Sequence, residues 1–178
     1  MKKIHIFDID GTILPSLFPN IQKSDKSMDQ IINDVLERSS EVDIYPEFIN
    51  YYSLYCTNST ENVFLTGRQE KPFGNLTHSQ LSPLKELSPF QVIFYPEENI
   101  YSLKQYFSWK LQEIQSLFLK YHALDHYEQV KFIVYDDMTA HFNNLKKLSD
   151  NLRINLTLRS IRNSNDWNSC NIHPNHEN

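Results

Sequence analysis

The chain has 178 residues, 40% of them hydrophobic and 22% charged, and a formal net charge of −5 at neutral pH. That length suits one domain with its own core, and the acidic balance argues against a protein that grips nucleic acid through bulk charge, although it leaves room for a local basic groove. No apolar run is long enough to span a membrane, no signal-peptide segment opens the chain, and Cys56 and Cys170 stand far apart outside any paired framework, so a reducing, cytoplasmic setting is expected.

Lys3 to Phe7 reads as a strand, because its β-branched and aromatic residues suit a pleated, buried surface. Asp8-Ile9-Asp10-Gly11-Thr12 follows where that strand ends. Ile13 to Pro19 is an apolar loop with two prolines. Ser24 to Ser40 places Met28, Ile31, Ile32, Val35 and Leu36 at helical spacing, with Ser27 as the N-cap. A second helix starts at Pro46, a first-turn proline, with Phe48, Ile49, Tyr52 and Tyr55 on its apolar face. Thr57 to Glu61 is a polar turn. Asn62 to Leu65 is the second strand and leads into Thr66-Gly67-Arg68. Glu70 to Asn75 is expected as a loop, and Thr77 to Leu87 as a short helix interrupted by Pro83.

Gln91 to Tyr95 is the third strand, stopped by Pro96; Asn99 to Tyr106 is ambiguous. Trp109 to Tyr121 is an amphipathic helix bearing Leu111, Ile114, Leu117 and Phe118. Lys131 to Tyr135 is the fourth strand, followed at once by Asp136 and Asp137. Ala140 to Leu148 is a helix. Ile154 to Ile161 alternates apolar and polar side chains, as an outer strand with one wetter face does. Asn163 to Asn178 is polar, without apolar period, and is expected to be a loose tail. Strands alternating with helices indicate an α/β fold with a mostly parallel five-stranded sheet and right-handed crossovers.

The chemistry gathers at strand ends, where open α/β sheets bind ligands. Asp8 and Asp10 repel one another, so one ionises with difficulty unless a cation lies near. A divalent ion such as Mg²⁺, which takes hard oxygen ligands, relieves the conflict. Gly11 permits the sharp exit that follows. Taken singly, Thr66 is an ordinary turn threonine, Lys110 a surface lysine and Arg68 a solvated arginine. Cys170, His173 and His176 match no strong zinc spacing.

Four pieces in order change the balance. Asp8-Ile9-Asp10-Gly11-Thr12, the strand ending in Thr66, Lys110, and the strand ending in Asp136-Asp137 resemble the four motifs of the haloacid dehalogenase (HAD) superfamily, over roughly residues 4 to 142. The resemblance implies a Rossmann-like three-layer sandwich. It also implies a Mg²⁺-dependent phosphohydrolase working through an aspartyl-phosphate, with a phosphate monoester as substrate. Asp8 would be the nucleophile and Asp10 the acid and base, its carbonyl also on the metal. Thr66, Gly67 and Arg68 would face substrate, Arg68 contacting either phosphate or a neighbouring carboxylate. Lys110, placed at a helix start, would neutralise Asp8, with Lys104 as its competitor and Lys71 a further lysine close after Thr66. Asp8, Asp10, Asp136 and Asp137 would surround the ion, Asp136 preferred over Asp137. His141 follows the acidic pair in a pattern seen in HAD domains associated with RNA repair. A catalytic domain over 1–162 is expected, with 13–44 as a flap and small helical insertion, too short for an independently folded cap. An open site of that kind admits a small metabolite, a phosphoprotein, or a nucleotide or polynucleotide end. The alternatives are a phosphotransferase of the same superfamily and a binding or regulatory protein without turnover. The oligomeric state is not legible.

Overall fold

The computed structural model describes residues 1–17, 27–97, 102–123 and 129–172. Five strands, β1 (Lys2–Phe7), β2 (Glu61–Gln69), β3 (Gln91–Tyr95), β4 (Val130–Asp136) and β5 (Asn155–Ser160), form one sheet in the order β3-β2-β1-β4-β5, with every pairing parallel. The order reverses at β1, which lies between β2 and β4. In open α/β sheets ligands bind at such a reversal, here the carboxyl ends of β1 and β4. Phe7 pairs in register with both Phe64 and Tyr135, so Asp8 and Asp136 leave the sheet side by side.

Alternation along the strands divides the core into two layers. Phe7, Phe64, Ile133 and Tyr135 face α2 (Pro46–Tyr55) and α6 (Asn165–Ile172), while Ile4, Ile6, Val63, Leu65, Phe132 and Val134 face α4 (Leu103–His122) and α5 (Phe142–Leu152). A smaller cluster joins Ile31 and Val35 of α1 (Met28–Arg38) to Leu17 and to Phe73 of α3 (Glu70–Gln80). The expected N-cap forms as a capping box: Ser27 and Gln30 bond reciprocally at the start of α1. No helix among the described residues is long and apolar enough to cross a membrane.

Three local expectations are overturned. Glu70 to Asn75 is the beginning of α3 rather than a loop; Pro72 falls in the first turn, where its missing N–H costs nothing, and burial of Phe73 and Thr77 offsets the weak propensity of Gly74. The helix bearing Lys110 begins at Leu103, where Ser102 Oγ accepts from the Gln105 amide at 3.2 Å, so Lys110 stands two turns inside α4 and not at its start. Residues 165 to 172 of the expected loose tail are helical, and Trp167 is fully buried. Residues 173–178, with His173 and His176, lie outside the described residues, as does part of the 13–44 insertion (18–26).

The α2–α6 layer buries a histidine. His5 Nδ1 lies 3.2 Å from the Tyr135 hydroxyl, which also meets the Tyr51 hydroxyl, and His5 Nε2 has no hydrogen-bond partner among the described residues. Burial, and secondarily Lys3, push its pKa down to about 3. The unfolded chain therefore takes up a proton below about pH 6.5 that the folded chain refuses until about pH 3. Stability should fall on acidification through that window. Urea unfolding at stepped pH should show His5→Phe losing about 1 kcal/mol less per pH unit than the parent between pH 6 and 4. Parallel curves would remove His5 as the cause.

Candidate active site

The turn after β1 is tight: the Ile13 amide donates to the Ile9 carbonyl at 3.0 Å. Gly11 has φ +82°, a conformation that favours glycine, and a Cβ there would sit 2.5 Å from Asp137 Oδ2 and push that carboxylate aside. Asp8 is buried beneath this turn. Its Oδ1 accepts from Lys110 Nζ at 2.9 Å and from the Tyr106 hydroxyl at 3.2 Å; its Oδ2 accepts from Thr12 Oγ1 at 3.1 Å. Lys110 Nζ also reaches Asp136 Oδ2 at 2.5 Å, and Asp136 Oδ1 accepts from the Met138 amide at 2.8 Å. Thr12 Oγ1 in turn accepts from the Asp137 amide at 3.0 Å, which draws the turn after β4 against the turn after β1.

Asp8, Asp136 and Asp137 each offer a carboxylate oxygen, and these atoms lie within 4.8 Å of one another. Three hard anionic oxygens at that spacing fit a divalent ion of the Mg²⁺ type. Their own charges are poorly met. Burial raises the pKa of Asp8, with Lys110 opposing and Asp136 adding to the rise. Burial, then Asp8 and Asp136, push Asp137 up to about 7. Burial also works against the charge of Lys110, yet Asp136 and Asp8 hold its pKa well above the ordinary lysine value.

Asp10 is placed apart from these three. Its side chain takes a two-pronged ion pair from Arg68, Nε to Oδ2 and Nη2 to Oδ1, both at 2.8 Å. Arg68 is fully buried, and its Nη1 donates to Thr77 Oγ1 at 3.0 Å and Gln80 Oε1 at 2.7 Å on α3. Of the two partners expected for Arg68, the structure supplies the carboxylate. Burial raises the pKa of Asp10, and Arg68 opposes the rise.

Thr66 and Gly67 lie where β2 slips against β3: Thr66 pairs with Phe94 and Gln69 with the next residue, Tyr95, leaving Gly67 and Arg68 as an irregular step. Thr66 is buried, and its Oγ1 accepts from the Arg68 amide at 3.2 Å. Lys104 and Lys71 are exposed, whereas Lys110 is buried on Asp8. His141 is buried beside Asp136, its Nε2 3.5 Å from Oδ2 without hydrogen-bond geometry; burial first, then Lys110, lower its pKa to about 4.

Two contributors escape sequence reasoning. Tyr106 closes the stretch that the sequence leaves ambiguous, before the expected helix at Trp109, yet it lies in α4 with its hydroxyl on Asp8. Trp167 lies in the polar C-terminal stretch, yet its Nε1 donates to the Thr12 carbonyl at 3.0 Å. A large aromatic alone in a polar segment was the available signal.

No family model and no curated protein sequence matches this chain. Among solved structures it is similar to the HAD domain of effector protein Lem4 from Legionella pneumophila, with a TM-score of 0.55 and 9% sequence identity, over 95% of this chain and 91% of that one. At that identity the likeness concerns the fold: this chain has the Rossmann-like α/β architecture of a HAD domain, with an acidic cluster at the carboxyl ends of its central strands.

Proposed function

We propose that the protein is a Mg²⁺-dependent phosphohydrolase acting on a phosphate monoester. The observation that carries this reading is the convergence of Lys110, Asp136 and Asp137 on the buried carboxylate of Asp8. In the first half-reaction an Asp8 oxygen attacks phosphorus, the P–O bond to the leaving group breaks, and an aspartyl-phosphate results. Asp10 gives its proton to the leaving oxygen. In the second half-reaction Asp10 takes a proton from water, whose oxygen attacks the same phosphorus and frees Asp8. The environment of Asp10 serves both roles. Burial favours the protonated form needed first, and Arg68 favours the ionised form needed second. Lys110 offsets charge on Asp8 throughout.

Asp8, Asp136 and Asp137 would hold the ion, which when bound supplies neutralisation of the phosphoryl oxygens. The main-chain carbonyl of Asp10 is a further ligand in this reading. Thr66 and Gly67 would line the phosphoryl side, with Arg68 acting through Asp10. Substrates span small phosphorylated metabolites, phosphoproteins and nucleotide or polynucleotide ends, and the setting is cytoplasmic.

The test is a screen of p-nitrophenyl phosphate, sugar phosphates, nucleotides and 3′- or 5′-phosphorylated oligonucleotides, with and without chelator. EDTA should abolish turnover and added Mg²⁺ should restore it. Full activity in chelator removes the ion from the reading, and no hydrolysis of any class with Mg²⁺ present removes the reading itself. Alcohols added as acceptors distinguish hydrolysis from phosphotransfer.

A further inference from the structure

Tyr106 completes a closed triangle of hydrogen bonds. Lys110 Nζ donates to the Tyr106 hydroxyl at 2.8 Å and to Asp8 Oδ1 at 2.9 Å, and the Tyr106 hydroxyl donates to the same Asp8 Oδ1 at 3.2 Å. An ammonium group has three hydrogens. Those of Lys110 go to Asp8, Asp136 and Tyr106, so the buried cation is saturated only because the tyrosine hydroxyl is there. The two oxygens of Asp8 differ as a result. Among the described residues Oδ1 carries two donors, while Oδ2 carries one, from Thr12.

The ring is built into this position. Its Cε2 would be 3.1 Å from a Cβ on Gly67, so a larger residue in the step of β2 would press on the ring. Tyr95 meets it edge-on and Trp109 stacks beside it, each with centroids 6.0 Å away. Tyr106 precedes Lys110 by four residues, one helical turn, so α4 presents hydroxyl and ammonium together.

We propose that Tyr106 is a positioning residue for the reaction: its hydroxyl, together with Lys110 on Oδ1 and Thr12 on Oδ2, restricts rotation of the Asp8 carboxylate and presents it to phosphorus in one orientation. This rests on the phosphohydrolase reading. A carboxylate free to rotate meets phosphorus in line for a smaller share of the time, so the loss falls on turnover and not on substrate binding.

Tyr106→Phe keeps the ring and its contacts and removes only the hydroxyl. With p-nitrophenyl phosphate and Mg²⁺, its kcat should fall roughly 10- to 100-fold, the worth of one hydrogen bond to a charged group, with KM within about twofold of the parent. A residue that merely fills space would show the reverse pattern, with Tyr106→Phe at parental kcat and only Tyr106→Leu impaired. A second readout needs no turnover. The thermal shifts of Tyr106→Phe and Asp8→Asn should be non-additive in the double variant, because both remove members of one triangle. Parental kcat in the Phe variant, or strictly additive shifts, overturns the proposal. If the parent hydrolyses nothing, the phosphohydrolase reading has failed and the thermal cycle alone decides whether the triangle exists.

Discussion

Asp8→Asn should lower kcat toward an aryl phosphate by roughly a thousandfold or more, the scale on which enzymes depend on a covalent nucleophile. The amide is close to isosteric, so the hydrogen bond from Thr12 and the space under the turn can persist; what is lost is a negatively charged oxygen able to bond to phosphorus. Two effects on stability oppose one another. Burial raises the pKa of Asp8, which means that keeping it ionised costs stability at neutral pH, and the amide removes that cost. Against this, Lys110 loses one of its two carboxylates and retains Asp136. The fold should therefore survive, with a single cooperative unfolding transition close to that of the parent. Steady-state rates and a urea curve on the same preparation check both halves. A variant that keeps a tenth of the parental kcat removes Asp8 as nucleophile.

Trp167→Ala should destabilise the protein by about 3–5 kcal/mol, the range for removing a buried large aromatic side chain from a core. The indole is fully buried, with ring centroids 4.7 Å from Phe48, 5.1 Å from Tyr51 and 5.2 Å from Tyr135. Its N–H also holds the Thr12 carbonyl, so the loss reaches the turn that follows Asp8. Trp167→Phe, which preserves most of the packing and loses that hydrogen bond, should cost less stability yet still reduce turnover. A chain ending at residue 162 should lose the whole contribution and most of its cooperative unfolding. Should that shortened chain unfold at the parental urea midpoint, α6 contributes nothing to the stability of the domain.

How much of this was legible beforehand depended on how local each signal was. β1, β3 and β4 announce themselves because a few adjacent residues carry both the propensity and the hydrophobic run. The start of α3 was hidden, since Lys71-Pro72-Phe73-Gly74 has the composition of a loop and only tertiary burial of Phe73 decides otherwise. The partner of Arg68 could not be read from the chain, because Asp10 stands 58 residues away and the pairing exists only once β1 and β2 are adjacent. As letters, Lys110 was preferred to Lys104 on an expected helix start that the structure instead places at Leu103. They lie six residues apart on one helix, so they leave it on different sides, and only the docked helix reveals that Lys110 is turned toward the strand ends. The acidic residues after β1 and β4, by contrast, were visible at once, because each group follows directly on a short, strongly apolar run of β-branched and aromatic residues.

Thr12 is where three remote parts of the chain are tied: its hydroxyl joins Asp8 to the Asp137 amide, and its carbonyl is held by Trp167. Such a knot leaves little room for drift. A serine could keep the bonds and surrender a methyl group, whereas a valine would match the outline and sever two strings at once. The acidic cluster and the packing of α6 are thereby bound to a single residue, and neither can wander far without dragging the other along.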